Sequence, residues 1–365
     1  MSEGKLKAAV LGLNEKGRLL IEAASKIENI EIFAVADKDT ALAENVAGQY
    51  ECEGYDDYRQ IVTAMDSRLR SGESETGENG VDTGCLLVAA PMHTCDEYVR
   101  MAAKKKINIL KLPPAARNFE EAAELVRLAE EQDIKIAIGN PGRFAKSFAA
   151  LRDFVQQGKI EHVFLITAFC NVGERQHPNW QTDPKLAGGG VLLHNCYRII
   201  DQIILNFGMP EQVYSLNTNA AADKQQRHYL TEDTVVVTMK FSDTLCGNLI
   251  ATRRPGTGPA EEFVKIYGKD KILTVTSSQL TVTDGLSQKS KKSKYVDDEP
   301  ASYQAMLENF ALSILQPREH KLTSSGRENL MNMAVIDSAY LSARTATPEE
   351  PGKILKMVQI EPEEV

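Results

Sequence analysis

Apolar residues in the first 140 positions alternate between two kinds of spacing. Short continuous apolar runs, typical of buried strands, occur at 5–12, 30–37, 84–91, 107–110 and 134–139. Stretches with apolar residues at helical spacing lie between several of these runs, at 15–28, 40–50, 97–106 and 119–132. Strands that alternate with helices indicate βαβ units. We therefore expect residues 1–140 to form one domain with a doubly wound parallel sheet.

The pattern changes from about residue 160. Apolar, β-branched runs joined by short turns occur at 162–172, 234–241, 247–254, 263–268 and 272–284. Because helices do not separate these runs, they indicate a mainly antiparallel sheet and a second α/β domain at 141–365. Helical spacing returns at 302–315 and 327–343, and we interpret the polar segments 66–84 and 287–300 as a surface insertion and an exposed loop.

Composition narrows the possible partners of the chain. Its 365 residues favour two domains, and the net charge of −9 argues against binding to nucleic acid, because an acidic surface repels phosphate backbones. No apolar run is long enough to span a bilayer, and the charged N-terminus lacks the apolar core of a secretion signal. The six cysteines are scattered, without a C-x-x-C pair. We therefore expect a cytoplasmic protein with reduced thiols and no metal site.

A candidate cofactor loop, G-L-N-E-K-G, follows the first strand and begins at Gly12. The dinucleotide fingerprint has three glycines, of which Gly12 and Gly17 are present while Asn14 replaces the middle one. Asparagine tolerates left-handed backbone angles, but its side chain narrows the approach to a pyrophosphate. Asp37 ends the second strand and favours NAD over NADP, although the adjacent Lys38 keeps NADP open. The alternative is a doubly wound sheet that binds no nucleotide.

Three further segments carry a family resemblance. VAAPMHTCDEYVRMAAKKKINIL at 88–110 resembles a T-P-x-x-x-H strand–loop–helix, and AIGNPGRF at 137–144 resembles a strand crossing into a second domain. The segment 179–213, with Trp180 and a triple glycine, is similar to W-x-x-D…GGG-x-L-x-D-x-G-x-H-x-x-D. Together with the cofactor loop, they make nearly the whole chain resemble the glucose–fructose oxidoreductase / inositol dehydrogenase / MocA family.

The resemblance implies both a fold and an activity. It implies a Rossmann domain followed by an α/β domain whose large open sheet usually forms a dimer or tetramer interface. It also implies NAD(P)-dependent oxidation or reduction of a sugar or polyol hydroxyl. Pro91, His93 and Pro113 are candidates for cofactor contact; for His93, near a sheet's carboxyl edge, the alternative is a surface histidine. Family chemistry depends on the lysine of an E-K-P motif and on the aspartate and histidine of D-x-x-x-H.

The chain departs from the family at those chemical positions. When NILKLPPAARN at 108–118 is aligned without gaps, the glutamate of E-K-P becomes Leu112 and the lysine becomes Pro113. The aspartate and histidine of the second motif become His194 and Arg198. Proline has no side-chain proton to exchange and arginine does not deprotonate in proteins. The resemblance therefore implies a non-standard active site.

Other residues could take over the chemistry. Lys111 lies on the same side of its strand as Pro113, and it is either a catalytic group or, as we prefer, a solvent-exposed strand end. His194 and Arg198 are four apart on one predicted helix and would share a face. His194 could then transfer protons while Arg198 and Lys111 bind an anion, or the pair could simply form hydrogen bonds between domains.

Six residues of the second domain could line a substrate pocket in one cleft. The candidates are Arg143, His177, Trp180, Gln181, Asp183 and Asp201. Two hypotheses remain: an oxidoreductase acting on a small molecule, possibly an anionic sugar derivative, and a non-catalytic dinucleotide- or metabolite-binding protein. Either X–Pro bond at the two prolines, Leu112–Pro113 or Pro113–Pro114, is also a candidate for a cis peptide bond.

Overall fold

The computed structural model describes residues 5–71, 83–173, 178–221 and 230–358. The chain forms two compact units. The first comprises Met1–Ala115, Glu124–Pro141 and Asp298–Gly326, and the second comprises Ala116–Ala123, Gly142–Asp297 and Arg327–Val365. Residues 298–326 are part of the first unit, because the helix in that segment packs against the first helix of the chain. The division into domains at residue 140 stays a prediction.

The sheet of the first unit has six parallel strands in the order β3-β2-β1-β4-β5-β6. The strands are β1 (Leu6–Leu11), β2 (Ile30–Ala36), β3 (Glu53–Tyr55), β4 (Thr83–Val88), β5 (Asn108–Lys111) and β6 (Ile136–Ile138). The strand order reverses between β1 and β4. In such sheets a ligand crevice lies beyond the carboxyl ends of the strands at this switch point.

Among the described residues, six helices belong to the N-terminal part or return to it, and all of them except the third correspond to stretches predicted from their spacing. They are α1 (Glu15–Ala24), α2 (Thr40–Gln49), α3 (Tyr58–Ser71), α4 (Met92–Lys104), α5 (Phe119–Glu131) and α10 (Glu299–Leu315). Every residue of β1 is buried, because helices cover both faces of a parallel sheet. The predicted doubly wound parallel sheet is confirmed.

Two elements of the first unit were not predicted. β3 has only three residues, and α3 extends into the polar segment 66–84 that we interpreted as an insertion. α3 forms because Ile61, Val62 and Met65 are buried on one side of it, while its last turns are polar. Residues 72–82 of the predicted insertion lie outside the described residues, and 83–84 begin β4.

The second unit contains an eight-stranded sheet in the order β14-β13-β12-β11-β7-β10-β9-β8. Its strands are β7 (Leu165–Asn171), β8 (Gln212–Thr218), β9 (Thr234–Lys240), β10 (Cys246–Thr252), β11 (Glu261–Tyr267), β12 (Lys271–Thr276), β13 (Gln279–Asp284) and β14 (Ser290–Lys294). Only the β7–β10 pair is parallel among these strands. The predicted large, mainly antiparallel sheet is confirmed.

The remaining helices are α6 (Lys146–Gln156), α7 (Pro184–Ala187), α8 (Val191–His194), α9 (Tyr197–Phe207), α11 (Gly326–Thr345) and α12 (Pro351–Met357), and 3₁₀ turns lie at Pro141–Phe144 and Asn179–Thr182. α6 and α8 contact strands of the sheet. β14 lies within the segment 287–300 that we predicted to be a loop, since its lysine-rich sequence carries no apolar signal. Lysines are common on edge strands because they discourage pairing with another sheet. Within the described ranges, no helix combines the length and the apolar character needed to cross a membrane.

Candidate active site

The loop after β1 brings its two glycines into very close contacts. Gly12 has a φ of +85°, and a Cβ atom there would lie 2.5 Å from the backbone nitrogen of Ala90. A Cβ atom on Gly17 would lie 1.9 Å from the carbonyl oxygen of Gly12. Neither position can accept a side chain without moving backbone. The glycines therefore let β1, α1 and the loop after β4 approach closely, as a dinucleotide site requires.

Asn14 caps the first helix. Its φ of −61° and ψ of 179° are extended, so the left-handed conformation that we considered for this residue is not the one adopted. The side-chain Oδ1 accepts a hydrogen bond from Gly17 N at 3.0 Å, and Nδ2 donates to the carbonyl oxygen of Ala89 at 2.8 Å. Asparagine is among the preferred N-cap residues for this reason. Its side chain is thus directed to protein groups and ties the loop after β1 to the loop after β4.

Asp37 follows β2 and is held by backbone donors. Its Oδ2 accepts a hydrogen bond from Leu13 N at 2.7 Å, and its Oδ1 accepts from Asp39 N at 3.0 Å. These bonds fix the carboxylate beside the loop of Gly12. Two glycines without room for side chains, the N-terminus of α1 and a fixed carboxylate after β2 together fit a bound dinucleotide.

The other predicted cofactor residues lie after β4 and β5. Pro91 is the N-cap of α4, and His93 is in the first turn of that helix. Pro113 follows the end of β5, and the Pro113–Pro114 peptide bond is cis. The prediction that these residues contact the cofactor stays a prediction.

Lys111 is not a solvent-exposed strand end. It is 1% exposed, and its Nζ donates a hydrogen bond to the carbonyl oxygen of Ala115 at 2.9 Å. Our preference for an exposed lysine was wrong because β5 pairs with β4 on one side and β6 on the other, within a sheet covered on both faces. Burial raises the pKa of the nearby Cys95 to about 11, and the positive charge of Lys111 opposes this shift. The hydrogen bond from Lys111 to the carbonyl oxygen of Ala115 holds the loop that carries Pro113.

The triple glycine at 188–190 packs against three different parts of the second unit. Gly188 has a φ of +75°, and a Cβ atom there would lie 2.2 Å from the carbonyl oxygen of Arg117. At the next position a Cβ atom would lie 2.1 Å from the hydroxyl of Tyr340, and at the third it would lie 1.9 Å from the carbonyl oxygen of Glu232. The motif is therefore required by packing. Tyr340 and Glu232 were not predicted as site residues, because a tyrosine on a helix and an acid before a strand carry no specific sequence signal.

His194 is the last residue of α8 and contacts Trp180. The two rings are 5.4 Å apart with an interplanar angle of 81°. His194 Nε2 lies 3.0 Å from the carbonyl oxygen of Ala187. Because a carbonyl oxygen can only accept, Nε2 carries the proton, and in the neutral ring Nδ1 is the basic nitrogen. The structure thus brings together two of the predicted site residues.

Arg198 does not lie on the same helix as His194. The chain turns at Asn195 and Cys196, whose backbone nitrogens both donate to Val191 O, and α9 begins only at Tyr197. The expectation that four-residue spacing places both side chains on one helical face was therefore wrong. Arg198 Nε donates to Glu262 Oε2 at 3.0 Å. Burial raises the pKa of Glu262, and Arg198 opposes that shift.

Arg143 and Asp201 form a buried ion pair. Arg143 Nε and Nη2 donate to the two Asp201 oxygens at 2.9 and 2.6 Å, and Nη1 donates to Glu328 at 2.6 Å. Arg143 is 6% exposed and Asp201 is 0% exposed. Burial lowers the pKa of Arg143, but the carboxylates of Asp201 and Glu328 outweigh burial and raise it. The expectation that Arg143 and Asp201 line a substrate pocket does not match this burial; they connect α9, α11 and the turn at Pro141–Phe144.

Two other pocket candidates have structural partners. The Oδ1 of Asp183 accepts from Lys185 N at 2.9 Å and so caps α7. The carbonyl oxygen of Gln181 accepts from Thr231 Oγ1 at 2.7 Å. His177 lies outside the described residues. In the parts of the chain that the structure describes, no three His, Cys, Asp or Glu side chains form a group that could hold a metal ion.

Two family models match the chain. Residues 6–140 match the model described as the oxidoreductase family, NAD-binding Rossmann fold. Residues 152–350 match the model described as the oxidoreductase family, C-terminal alpha/beta domain. Together they cover most of the chain, in the order that the structure shows.

Curated proteins and solved structures agree with these matches. Inositol 2-dehydrogenase of Rhizobium meliloti (strain 1021) is 21% identical over 346 residues, which are 92% of this chain and 96% of that protein. Rhizopine catabolism protein MocA of Rhizobium meliloti is 26% identical over 204 residues, 54% of this chain and 56% of that protein. Levoglucosan dehydrogenase in complex with NADH and L-sorbose has a TM-score of 0.79 at 15% identity and covers 95% of this chain and 99% of its own. An oxidoreductase from Agrobacterium radiobacter in complex with NAD+, L-tartaric acid and magnesium has a TM-score of 0.77 at 18% identity. The match covers 96% of this chain and 100% of that one.

The structural likenesses show the same fold, and the family models cover both of its domains. The chain therefore belongs to the glucose–fructose oxidoreductase / inositol dehydrogenase / MocA family of NAD(P)-dependent oxidoreductases.

Proposed function

We propose that this chain catalyses hydride transfer between NAD and a hydroxyl-bearing carbon of a small polyhydroxylated substrate, with His194 moving the hydroxyl proton. A relative is named as an inositol dehydrogenase, and structural neighbours contain L-sorbose or L-tartaric acid. A sugar, a polyol or a sugar acid is therefore the substrate class to test. The proton must leave the hydroxyl as hydride leaves the carbon, so a group with a pKa near neutrality is needed close by.

The orientation of His194 is the observation that carries the proposal. Its Nε2 donates to the carbonyl oxygen of Ala187, so in the neutral ring the proton is on Nε2 and Nδ1 is the basic nitrogen. Trp180 packs edge-on against the ring and restricts its rotation. A histidine fixed in one tautomer can act as a general base in one direction and as a general acid in the other.

The first unit would hold the cofactor through its backbone and one carboxylate. The N-terminus of α1 would receive the pyrophosphate, and Asp37 would accept a hydrogen bond from a ribose hydroxyl. A 2′-phosphate at that place would meet the negative charge of Asp37, which favours NAD over NADP. When bound, the nicotinamide supplies the hydride acceptor or donor.

A non-catalytic dinucleotide-binding function is the second candidate. Three observations favour it: Pro113 has no proton to exchange, the guanidinium of Arg198 is bound to Glu262, and Lys111 is buried with its ammonium on Ala115. Under this hypothesis the fold binds a dinucleotide or metabolite as a sensor or partner subunit.

Fluorescence titration with NADH and a turnover screen of polyols, sugars and sugar acids distinguish the two functions. We expect NADH to bind, and His194→Gln to lower kcat by about 100-fold or more while NADH still binds, since general acid–base groups contribute rates of this order. His320→Gln is the matched control, because His320 follows α10 in the first unit. If the wild type and the His194 variant bind NADH equally and neither turns over a substrate, the non-catalytic function is favoured. If the wild type does not bind NADH, both functions are excluded.

We also propose that a second copy of the chain covers the open face of the eight-stranded sheet. The strand register places an apolar row side by side across five strands: Leu216, Val236, Ile250, Phe169 and Phe263. Leu216, Val236 and Ile250 are 59%, 36% and 39% exposed, respectively. Phe169 and Phe263 are partly buried, so the exposed part of the row lies at Leu216, Val236 and Ile250. Exposed neighbouring apolar side chains of this kind are typical of a protein–protein interface.

Light scattering coupled to size-exclusion chromatography tests this association. We expect the wild type to form a dimer or tetramer and Ile250→Lys to shift it to the monomer, because a desolvated lysine would be unpaired in the interface. Leu286→Lys is the control, as Leu286 is 90% exposed in a turn. A monomeric wild type, or an unchanged mass for the Ile250 variant, would contradict the proposal.

A further inference from the structure

Glu232 receives the first backbone N–H groups of α8. Its Oε2 accepts a hydrogen bond from Gly190 N at 2.8 Å, and its Oε1 accepts from Leu192 N at 3.0 Å. Its carbonyl oxygen accepts from Val191 N at 3.1 Å. The N–H groups that open a helix have no partner within the helix. One residue therefore satisfies three successive donors at the start of α8.

The carboxylate of Glu232 is itself held in place. The side chain lies in the interior, with the residue 7% exposed, and the hydroxyl of Tyr340 donates to Oε1 at 2.9 Å. Burial raises the pKa of Glu232, while the hydrogen bonds from Leu192 and Tyr340 and the charge of Arg253 oppose the shift. Arg253 is also buried, at 5% exposure. Tyr340, which lies on α11, thus helps to fix the position of the carboxylate.

One helical turn connects these bonds to His194. The backbone nitrogen of His194 donates to the carbonyl oxygen of Gly190 at 3.0 Å, so the two residues move together. The imidazole then reaches the carbonyl oxygen of Ala187 from the end of α8. A rotation of α8 about its first residues would displace the ring from this carbonyl and from Trp180. Displacement of a reacting group by about 1 Å can cost about 100-fold in rate.

We propose that Glu232 is a positioning residue of the active site, which fixes the imidazole of His194 by holding the first N–H groups of α8. That this matters for turnover rests on the proposed function of His194. That Glu232 sets the orientation of α8 and of the His194 ring rests only on the contacts of the second unit, so the two claims can be tested separately.

Glu232→Gln in the full chain with NADH added is the principal test. Glutamine keeps the shape of the side chain but replaces one accepting oxygen with an amide donor, which leaves one N–H of α8 unpaired. We expect amide hydrogen exchange at 190–194 to accelerate about tenfold or more. The imidazole signals of His194, assigned by comparison with His194→Gln, should shift. For a substrate found in the screen, kcat should fall by about tenfold or more while KM for NADH changes by less than about twofold.

Glu328→Gln is the matched control, because Glu328 is another carboxylate of the second unit and accepts its hydrogen bond from the Arg143 side chain. The proposal is overturned if Glu232→Gln changes exchange at 190–194 and the His194 signals no more than this control does. If Glu232→Gln does not fold, Tyr340→Phe decides: it keeps the carboxylate but removes one donor to it. Unchanged exchange and unchanged His194 signals in that variant would also overturn the proposal. Absence of turnover in the wild type would refute the proposed catalytic function, while exchange and imidazole signals would still decide the role of Glu232.

Discussion

Asp201→Asn tests the buried ion pair with Arg143. Asp201 accepts two hydrogen bonds from the Arg143 guanidinium and one from Asn332 Nδ2, at 2.9 Å. Asparagine retains one accepting oxygen, so an amide NH₂ would face a guanidinium N–H and at least one charge-assisted bond would be lost. The guanidinium would keep only Glu328 as a charged partner among the contacts described.

The expected loss of stability follows from the burial of this pair. Removing one partner of a buried ion pair costs about 3–5 kcal/mol in the free energy of unfolding. Because Glu328 still compensates part of the charge of Arg143, we expect about 3 kcal/mol for Asp201→Asn. Glu328→Gln should cost less, about 1–2 kcal/mol, since Glu328 makes one of the three guanidinium bonds and its side chain is 22% exposed.

Urea unfolding followed by tryptophan fluorescence measures these losses in the second unit. The chain has one tryptophan, Trp180, and it lies in that unit. A loss of about 3 kcal/mol should lower the urea midpoint by about 1 M. Replacing both partners, with Arg143→Met and Asp201→Leu together, should recover part of the loss, because apolar substitutes for a buried pair are often neutral while Glu328 loses its bond from Arg143. The reasoning is refuted if Asp201→Asn costs less than about 1 kcal/mol, or if Glu328→Gln costs more than Asp201→Asn.

Three further expectations concern other buried positions. Burial raises the pKa of Asp337 from 3.8 to about 6, so its contribution to stability is greatest below about pH 4 and is lost as pH rises through 6. Urea titrations should therefore show Asp337→Asn to be more stable than the wild type by about 1–3 kcal/mol at pH 7.5 and nearly equal to it at pH 4. Gly190→Ala would place a Cβ atom 1.9 Å from a carbonyl oxygen and should lower the free energy of unfolding by more than about 3 kcal/mol, whereas Gly352→Ala, whose Cβ atom would lie 3.7 Å from a methionine methyl, should change it by less than about 1 kcal/mol. Equal effects on thermal unfolding would contradict this. Lys111→Met should retain NADH binding and turnover within about tenfold, because the ammonium stabilises a loop; complete loss of turnover with intact NADH binding would instead identify Lys111 as a catalytic group.

Sequence pattern predicted those elements whose burial leaves a periodic signal. β1 and β2 are short apolar runs in a sheet covered on both faces, and both were identified within about a residue of their bounds. β3 and β14 were missed because each lies at a sheet edge, where exposed polar residues carry no such signal. The helix α10 was identified, but not the unit to which it returns, since periodicity indicates that a face is buried without indicating its partner.

The same distinction between local pattern and tertiary packing applies to the residues of the candidate site. The sequence alone determined the family resemblance, the two glycines and the acid of the cofactor loop, and the replacement of the family lysine by Pro113, because each depends on residue type and spacing. Only the tertiary structure decided that Lys111 is buried, that Arg198 pairs with Glu262, and that Glu232 holds α8. Those contacts join residues that are distant in sequence. The partner and the burial of a charged side chain depend on which elements pack around it, and no local pattern of the chain records that.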